Sequence, residues 1–256
     1  MPQFAGMSIA ELKDYLKTFE ILPPEVEKEL AEDRRKGVQE LLTRKKKAEV
    51  ARTVELKRLE KMLLWEKKLW KNGFQLVAGI DEAGRGPLAG PVVAAAVVLP
   101  RDVCITGLND SKKLTPIKRN QLYEEIIINA LAYGLGSAEN REIDRLNIHQ
   151  ATFLAMKRAI ARLHTAPEFV LVDGFKIPGL AQPQEAICGG DGLSLSIAAA
   201  SVLAKVTRDK IMCNLDGLYP QYGFKKHMGY GTEEHRIALN RYGPCAAHRA
   251  SFKLDY

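Results

Sequence analysis

The pattern of apolar positions divides the chain into a helical first part and a second part with strands. Over residues 1–71, apolar side chains recur at helical spacing between charged residues. Residues 77–80 and 91–100 are instead short runs of mostly apolar residues, which predict two buried strands. We therefore predict a charged helical N-terminal extension over residues 1–71 and an α/β domain over residues 72–256.

Local signals mark where the helices of the extension begin and end. Ser8 and Glu11 have the spacing of a capping box, in which each side chain bonds the backbone N–H of the other residue. The Pro23-Pro24 pair ends this first helix, and a helical pattern resumes at Glu25.

After residue 100 the helical and strand patterns alternate. Residues 116–131 predict a helix, 131–138 a strand, 148–163 a helix and 169–172 a short strand. The side chains predicted to face inward in the first of these helices are Ile117, Leu122, Ile126 and Ile127. Such alternation is typical of an α/β domain.

Charge is unevenly distributed along the extension. Residues 1–33 carry three basic and eight acidic side chains (net −5), whereas residues 34–71 carry 14 basic and five acidic ones (net +9). Within residues 44–70, Leu56 and Leu59 mark an apolar side, continued by Leu63, and basic residues cover most of the remaining circumference. One side of this helix can pack while the other contacts phosphates, although a solvated charged helix fits the pattern equally well.

Composition is that of an ordinary globular protein, with 46% hydrophobic and 27% charged residues in 256. The first residues lack a signal peptide, and no uncharged apolar run approaches the ~20 residues that span a bilayer. We therefore expect a cytoplasmic protein without membrane contact. The four cysteines are scattered with no C-x-x-C pair, which predicts reduced thiols and neither zinc nor disulfides.

Four acidic residues stand where apolar segments end or begin. Asp81 and Glu82 follow the first strand, Asp173 follows the strand over residues 169–172, and Asp191 precedes a helix rich in small residues. Carboxylates in a half-buried cleft need a counter-charge, and a hard divalent cation with a substrate phosphate supplies it. Each aspartate alone is also compatible with an ordinary turn or helix end. Neighbouring strand residues face opposite sides, so Asp81 and Glu82 share a site only if the strand ends or bends there.

Two nucleotide-binding motifs are excluded. Gly79 and Gly84 have Walker A spacing, but Arg85-Gly86 stands where that loop requires lysine followed by serine or threonine. Gly84, Gly86 and Ala89 fit the dinucleotide-binding pattern G-x-G-x-x-A, yet Pro87 interrupts the segment and a second strand follows where that fold requires a helix.

Several motifs, taken in order, resemble those of bacterial ribonuclease HII. They are DEAGRGPLAGPVVAAAVVLP from residue 81, NDSKKLTP at 109–116, VDG at 172–174, GDGLSLSIAAASVLAKVTRD at 190–209, YPQYGFKKHMGYGTEEH at 219–235 and HRASF at 248–252. The resemblance covers roughly residues 72–252. The GRG element is that of ribonuclease HII and not of its sister ribonuclease HIII.

The resemblance implies a ribonuclease H-like fold, with a mixed central sheet flanked by helices and a C-terminal helical portion. It also implies an endonuclease that hydrolyses the RNA strand of RNA:DNA hybrids and cuts 5′ to single ribonucleotides in duplex DNA. The implied products carry 3′-hydroxyl and 5′-phosphate ends. The implied partners are these nucleic acids, and we expect a monomer.

Matched residue by residue, the resemblance assigns the metal-binding catalytic acids to Asp81, Glu82, Asp173 and Asp191. These acids would hold two Mg²⁺ or Mn²⁺ ions about 4 Å apart. The implied readers of the ribose 2′-hydroxyl are the GRG loop (Gly84-Arg85-Gly86) and Tyr230. The implied phosphate contacts are Asn109, Ser111, Lys112 and Lys113.

Three further positions carry open expectations. Lys205 and Arg208 are expected either to contact the nucleic acid backbone or to form a solvated helix face. Met228 departs from the family pattern, which has a basic residue there, and Lys225, Lys226 and His227 are candidates to compensate.

Two other classes of function stay open at this point. One is a different two-metal nuclease or polynucleotidyl transferase with the same fold, which the GRG loop and Tyr230 disfavour. The other is a hybrid-binding protein without catalysis, which the complete set of four acids disfavours.

Overall fold

A five-stranded mixed sheet forms the centre of the second part of the chain, as predicted. The structure is a computed structural model that describes residue 4 and residues 6–253; residues 1–3, 5 and 254–256 of the predicted domains lie outside the described residues. The strands are β1 (Val77–Ala83), β2 (Val92–Val98), β3 (Ala132–Ala138), β4 (Phe169–Asp173) and β5 (Gln184–Ile187). Their order is β3-β2-β1-β4-β5, with β1 antiparallel to β2 and parallel to β4.

Ten helices are present among the described residues. They are α1 (Ile9–Lys17), α2 (Pro24–Glu32), α3 (Lys36–Met62), α4 (Leu64–Lys71), α5 (Pro116–Asn129), α6 (Asn140–Leu146), α7 (Ile148–Ala161), α8 (Leu195–Leu218), α9 (Phe224–His227) and α10 (Glu233–Tyr242).

The two faces of the sheet bury different helices. Alternate residues of the central strands, such as Ile80 and Ala94, pack with α7 on one face. Their neighbours Ala95 and Val97 pack with α5 and α8 on the other face. This alternation follows from the two-residue period of a strand, and it buries both faces.

Helix α8 crosses β1 at Gly79, where no side chain can fit. A Cβ atom at Gly79 would lie 2.1 Å from the backbone carbon of Ser196. The facing part of α8 is correspondingly small, since Ala198, Ala199 and Ala200 are fully buried. This close approach brings the residues of α8 near the end of β1, where the candidate acids lie.

The described residues form two compact units, Met1–Arg58 and Leu59–Tyr256. The first unit has its own apolar core, which includes Leu12, Leu30 and Leu42. The predicted capping box of α1 is confirmed, because the Ser8 Oγ accepts from the Glu11 N–H and the Glu11 carboxylate accepts from the Ser8 N–H.

The second unit begins with the end of α3 and includes α4. Leu63 and Leu69 are buried in its apolar clusters. Glu66 is buried as well, and its Oε1 accepts from the Ser194 hydroxyl at 2.7 Å and the Ser196 N–H at 2.9 Å. Helix α4 therefore supports the first turn of α8.

Several sequence predictions differ from the structure in detail. The prediction that Ile117 faces inward is wrong, because its side chain is 74% exposed. At about 100° per residue it lies about 180° around α5 from the buried Ile126. Leu56 is also exposed, the helical segment over residues 44–70 is interrupted at Leu63, and β5 and α6 were not predicted.

No helix in the described part of the chain combines the length and apolarity needed to cross a membrane. All four cysteines lie within the described residues, and each is free.

Deletion of residues 1–58 should leave the second unit folded, whereas deletion of residues 1–71 should destabilise it. The longer deletion removes the buried Leu63 and Leu69, worth roughly 1.5–3 kcal/mol each, and takes away the Glu66 carboxylate from Ser194. Thermal unfolding followed by circular dichroism should give a clearly lower midpoint for the longer deletion. Equal midpoints would contradict this role of α4 and favour the predicted boundary at residue 71.

Candidate active site

Three of the four predicted acids meet at one edge of the sheet. Asp81 lies near the end of β1, Asp173 ends β4, and Asp191 lies in the short 3₁₀ turn before α8. Because β1 and β4 run parallel, their carboxyl ends meet at the same edge. Each of the three residues offers a carboxylate oxygen, and these oxygens all lie within 4.8 Å of one another.

The turn that carries Asp191 is tied to the end of β4. Gly189 has the left-handed φ of 66°, which favours glycine, and the Gly190 N–H donates to the Asp173 Oδ1 at 2.7 Å. A Cβ atom at Gly190 would lie 2.6 Å from the Ile197 side chain. The two glycines thus let the chain turn tightly enough to bring Asp191 against Asp173.

Glu82 lies beside this cluster and outside it. The pairing of β1 with β2 continues without a shift through Asp81, Glu82 and Ala83, so the strand does not end between the two acids. The Glu82 N–H donates to the Asp81 Oδ1 at 2.7 Å, while its carboxylate Oε1 lies 3.2 Å from the Arg85 guanidinium. Its assignment as a metal ligand stays a prediction.

The electrostatics of the cluster call for a cation. Burial, followed by the negative charges of Glu82 and Asp173, raises the pKa of Asp81 well above its usual range, against a hydrogen bond from Ser201. Burial and Asp110 likewise raise the pKa of Asp191, although Lys112 opposes them. A divalent cation would remove this repulsion, and an all-oxygen donor set suits Mg²⁺ or Mn²⁺. The residues present therefore fit such ions.

The predicted phosphate contacts differ in their surroundings. The Lys112 ammonium lies 3.4 Å from Asp191, and its side chain is 77% exposed. Lys113 is exposed, and the Asn109 Oδ1 accepts from the N–H of Asp110 at 2.9 Å. Ser111 is buried, and its hydroxyl is hydrogen-bonded to that of Ser201 at 2.8 Å. Lys112 is thus the member of this set that reaches the acid cluster.

The GRG loop lies next to Tyr230. A Cβ atom at Gly86 would lie 3.7 Å from a ring carbon of Tyr230, and both residues are exposed. Gly84 has a φ of 95°, and a Cβ atom there would lie 2.0 Å from the Arg208 side chain. The two predicted readers of the sugar therefore share one surface, which the Arg85–Glu82 ion pair links to the end of β1.

Both expectations for Arg208 were wrong, because its side chain is buried. Its guanidinium donates to the backbone carbonyls of Ala89, Pro91 and Met228 at 3.0–3.1 Å. The signal that could have revealed this role is its position beside the small buried residues of α8. Lys205 instead pairs with Asp209 at 2.7 Å and lies partly exposed.

A basic groove runs beside Met228. The cations that line it are Arg119, Lys205, Lys210, Lys225 and Lys226. His227 does not contribute, because its ring is buried and hydrogen-bonded to the backbone carbonyl of Tyr222. Among the residues expected to compensate for Met228, the two lysines therefore face the groove and the histidine does not.

Asp81→Asn should stabilise the metal-free protein, because it removes one of several crowded, buried negative charges. In EDTA its melting temperature should exceed that of the wild type by a few degrees, while the exposed control Asp102→Asn leaves it unchanged. Added Mn²⁺ should raise the melting temperature of the wild type more than that of Asp81→Asn. A lower melting temperature for Asp81→Asn in EDTA would contradict this account.

Comparison with known proteins gives concordant matches over both parts of the chain. The family model "Ribonuclease HII" matches residues 78–255, and "Ribonuclease HII N-terminal domain" matches residues 8–70. Ribonuclease HII of Desulfitobacterium hafniense (strain DSM 10664 / DCB-2) is 53% identical over 254 residues, which cover 98% of this chain and 96% of that protein.

Two solved structures are similar in fold. The ribonuclease H2 of Pyrococcus horikoshii OT3 matches with a TM-score of 0.59 and 26% identity, covering 70% of this chain and 94% of that one. Bst-RNase HIII in complex with Mn²⁺ matches with a TM-score of 0.56, covering 70% of this chain and 67% of that one. At 17% identity, this second likeness concerns the fold alone.

Proposed function

The chain belongs to the ribonuclease HII family, endoribonucleases for the RNA strand of RNA:DNA hybrids, and we propose that it also cuts duplex DNA 5′ to a single embedded ribonucleotide. The observation that supports this proposal is the proximity of Gly86 to Tyr230, on a surface linked by the Arg85–Glu82 pair to the acid cluster. A site that reads one sugar and cuts beside it needs this arrangement.

The acids are proposed to hold two divalent ions, Mg²⁺ or Mn²⁺. Asp81, Asp173 and Asp191 would supply carboxylate ligands, with Glu82 as the fourth candidate. Such ions, when bound, activate a water molecule and stabilise the charge that develops on the leaving 3′-oxygen. The products would then be a 3′-hydroxyl and a 5′-phosphate.

Positive side chains near the acids can hold the substrate phosphate. The exposed Lys112 ammonium near Asp191 can donate to a phosphate oxygen, and Lys113 and Asn109 can extend this contact along the strand. Arg85 neutralises Glu82 and thereby limits the repulsion between the acids and the entering phosphate.

The GRG loop and Tyr230 are proposed to recognise the 2′-hydroxyl. Backbone groups can donate to or accept from this hydroxyl, and the exposed Tyr230 ring can pack on the next sugar. Since only RNA carries the 2′-hydroxyl, this contact separates ribose from deoxyribose. A monomeric state and a cytoplasmic location stay predictions.

A duplex with a single ribonucleotide should be cut on the 5′ side of that residue. Replacing the 2′-hydroxyl by hydrogen or a methoxy group should reduce cleavage by orders of magnitude, because the donors and acceptors of the site lose their partner or meet a clash. Denaturing gel electrophoresis of end-labelled strands measures both effects. Asp173→Asn serves as the control and should bind the duplex but not cut it.

If the deoxyribose control is cut as fast as the ribonucleotide substrate, the protein is a general two-metal nuclease instead. Wild-type cleavage by Asp173→Asn would contradict the assignment of the acids. If the protein binds the RNA:DNA hybrid but cuts no substrate with either Mg²⁺ or Mn²⁺, the alternative of a hybrid-binding protein without catalysis is favoured.

Tyr230→Ala should weaken cutting at a lone ribonucleotide more than cutting of a long RNA:DNA hybrid. A hybrid has many successive riboses, so an enzyme with weakened sugar recognition can still bind and cut at many positions. A duplex with a lone ribonucleotide has one such position. Tyr230→Phe keeps the ring and should retain most activity if ring packing dominates. Comparison of kcat/KM on the two substrates measures the effect, and a proportional loss on both would argue against a sugar-reading role.

A further inference from the structure

Arg249 is a fully buried arginine that donates only to backbone carbonyls. Its Nε donates to the Gly90 carbonyl at 2.9 Å, and its two terminal nitrogens donate to those of Arg85 at 2.8 Å and Gly84 at 2.5 Å. Among the described residues no carboxylate forms a salt bridge with it. Burying a guanidinium without a counter-ion is unfavourable unless it is hydrogen-bonded, and here each of its three nitrogens donates to a carbonyl at or near the GRG loop.

This contact determines which way the GRG loop presents its N–H groups. In a trans peptide the C=O of one residue and the N–H of the next point in opposite directions, and the described chain has no cis peptide. The carbonyls of Gly84 and Arg85 point to Arg249, so the N–H groups of Arg85 and Gly86 point away from it. Neither N–H has an acceptor among the described residues. Arg249 thus leaves two backbone donors free for a ligand.

The preceding residue, His248, reaches Tyr230 through a second histidine. The Cys245 N–H donates to the His248 Nδ1 at 2.9 Å, whereas the Cys245 carbonyl lies farther from that nitrogen, at 3.3 Å. The shorter contact assigns the His248 proton to Nε2, which lies 3.0 Å from the His235 Nε2. The His235 Nε2 must then accept, which leaves the His235 proton on Nδ1. That nitrogen donates to the backbone carbonyl of Tyr230 at 2.9 Å.

The three bonds form one directed chain, and each fixes the tautomer for the next. Both rings are buried, and burial lowers the pKa of His248 to about 4 and that of His235 below its ordinary value. The rings are therefore neutral near neutral pH, as the chain of donors requires. Protonation at both Nε2 atoms would set two N–H groups against each other.

His248 and Arg249 are adjacent in the chain. Backbone hydrogen bonds near them also link the GRG loop side to the Tyr230 side. The Arg249 N–H donates to the Leu88 carbonyl, and the Leu88 N–H donates to the Gly229 carbonyl next to Tyr230. One two-residue segment therefore contacts the GRG loop directly and is linked to Tyr230 through His235, although it lies about 160 positions beyond the GRG loop in the chain.

We propose that His248 and Arg249 are positioning residues that set the ribose specificity of this enzyme, Arg249 by orienting the GRG loop and His248 by orienting Tyr230 through His235. The inference rests on the proposed reading of the 2′-hydroxyl by these two elements. The added claim is that His248 and Arg249, in the C-terminal segment, hold the GRG loop and Tyr230 at a set distance. They also keep the N–H groups of Arg85 and Gly86 directed away from Arg249.

Arg249→Lys tests the first half, because it keeps the charge but loses the planar fork that bonds three carbonyls. The kcat/KM for a duplex with a lone ribonucleotide should fall about tenfold further than that for a long RNA:DNA hybrid. Equal losses on both substrates, or no loss on either, would overturn the proposal. Melting temperatures measured in parallel report any general destabilisation separately.

A matched pair at His235 tests the second half and does not depend on Arg249→Lys being folded. Asn at this position can still donate to the Tyr230 carbonyl through its amide, whereas Phe cannot. The measured quantity is the ratio of kcat/KM on the lone-ribonucleotide duplex to kcat/KM on the long hybrid. This ratio should stay near the wild-type value in His235→Asn and be several-fold lower in His235→Phe. Identical ratios in the two variants would overturn the role of the histidine chain.

These outcomes are distinct from failure of the proposed function. If the wild type cuts a deoxyribose duplex as fast as one with a ribonucleotide, the proposed sugar reading itself is wrong. If the wild type discriminates but the variants at positions 235 and 249 discriminate equally well, the reading stands and the positioning role is wrong.

Discussion

The parallel pairing of β1 with β4 is the constraint on which the candidate active site depends. It brings the end of each strand to one edge of the sheet, so that Asp81 and Asp173 meet although 92 positions separate them in the chain. The resulting repulsion, added to burial, raises the pKa of Asp81. The fold therefore holds together charges that oppose one another, and the stability of the surrounding sheet offsets this until a cation binds.

Helix α8 is the second element that makes this arrangement possible. Its small residues let it cross β1 at Gly79, and the same helix supplies Ser201 to Asp81 and Arg208 to the backbone beside the GRG loop. Its first turn is supported by the buried Glu66 of α4. A change in the packing of α8 would consequently alter both the acid cluster and the loop, because one rigid helix contacts both.

Sequence patterns predicted the elements better than the contacts between them. Period and caps are local properties, so the strand at residues 91–100 and the capping box at Ser8 could be inferred directly. The inward direction of Ile117 could not, since the buried face of α5 is set by what it packs against. Similarly, a buried Arg208 and an exposed one have the same sequence neighbours, and the carbonyls that receive its donors belong to another segment. The convergence of the acids followed from family resemblance and not from spacing.

The chemistry and the proposed specificity have different structural origins. The acids are positioned by the buried strands of the sheet and by the turn before α8. The GRG loop and Tyr230 are positioned by hydrogen bonds that start from a coil segment outside the five strands. This segment pairs with the loop between β1 and β2 through an isolated bridge, Ala89 with His248. Hydrogen bonds depend more strongly on direction than apolar packing does. A reader that must distinguish one hydroxyl therefore gains from being held by arginine and histidine donors, whereas a cluster of carboxylates needs only to be kept close together.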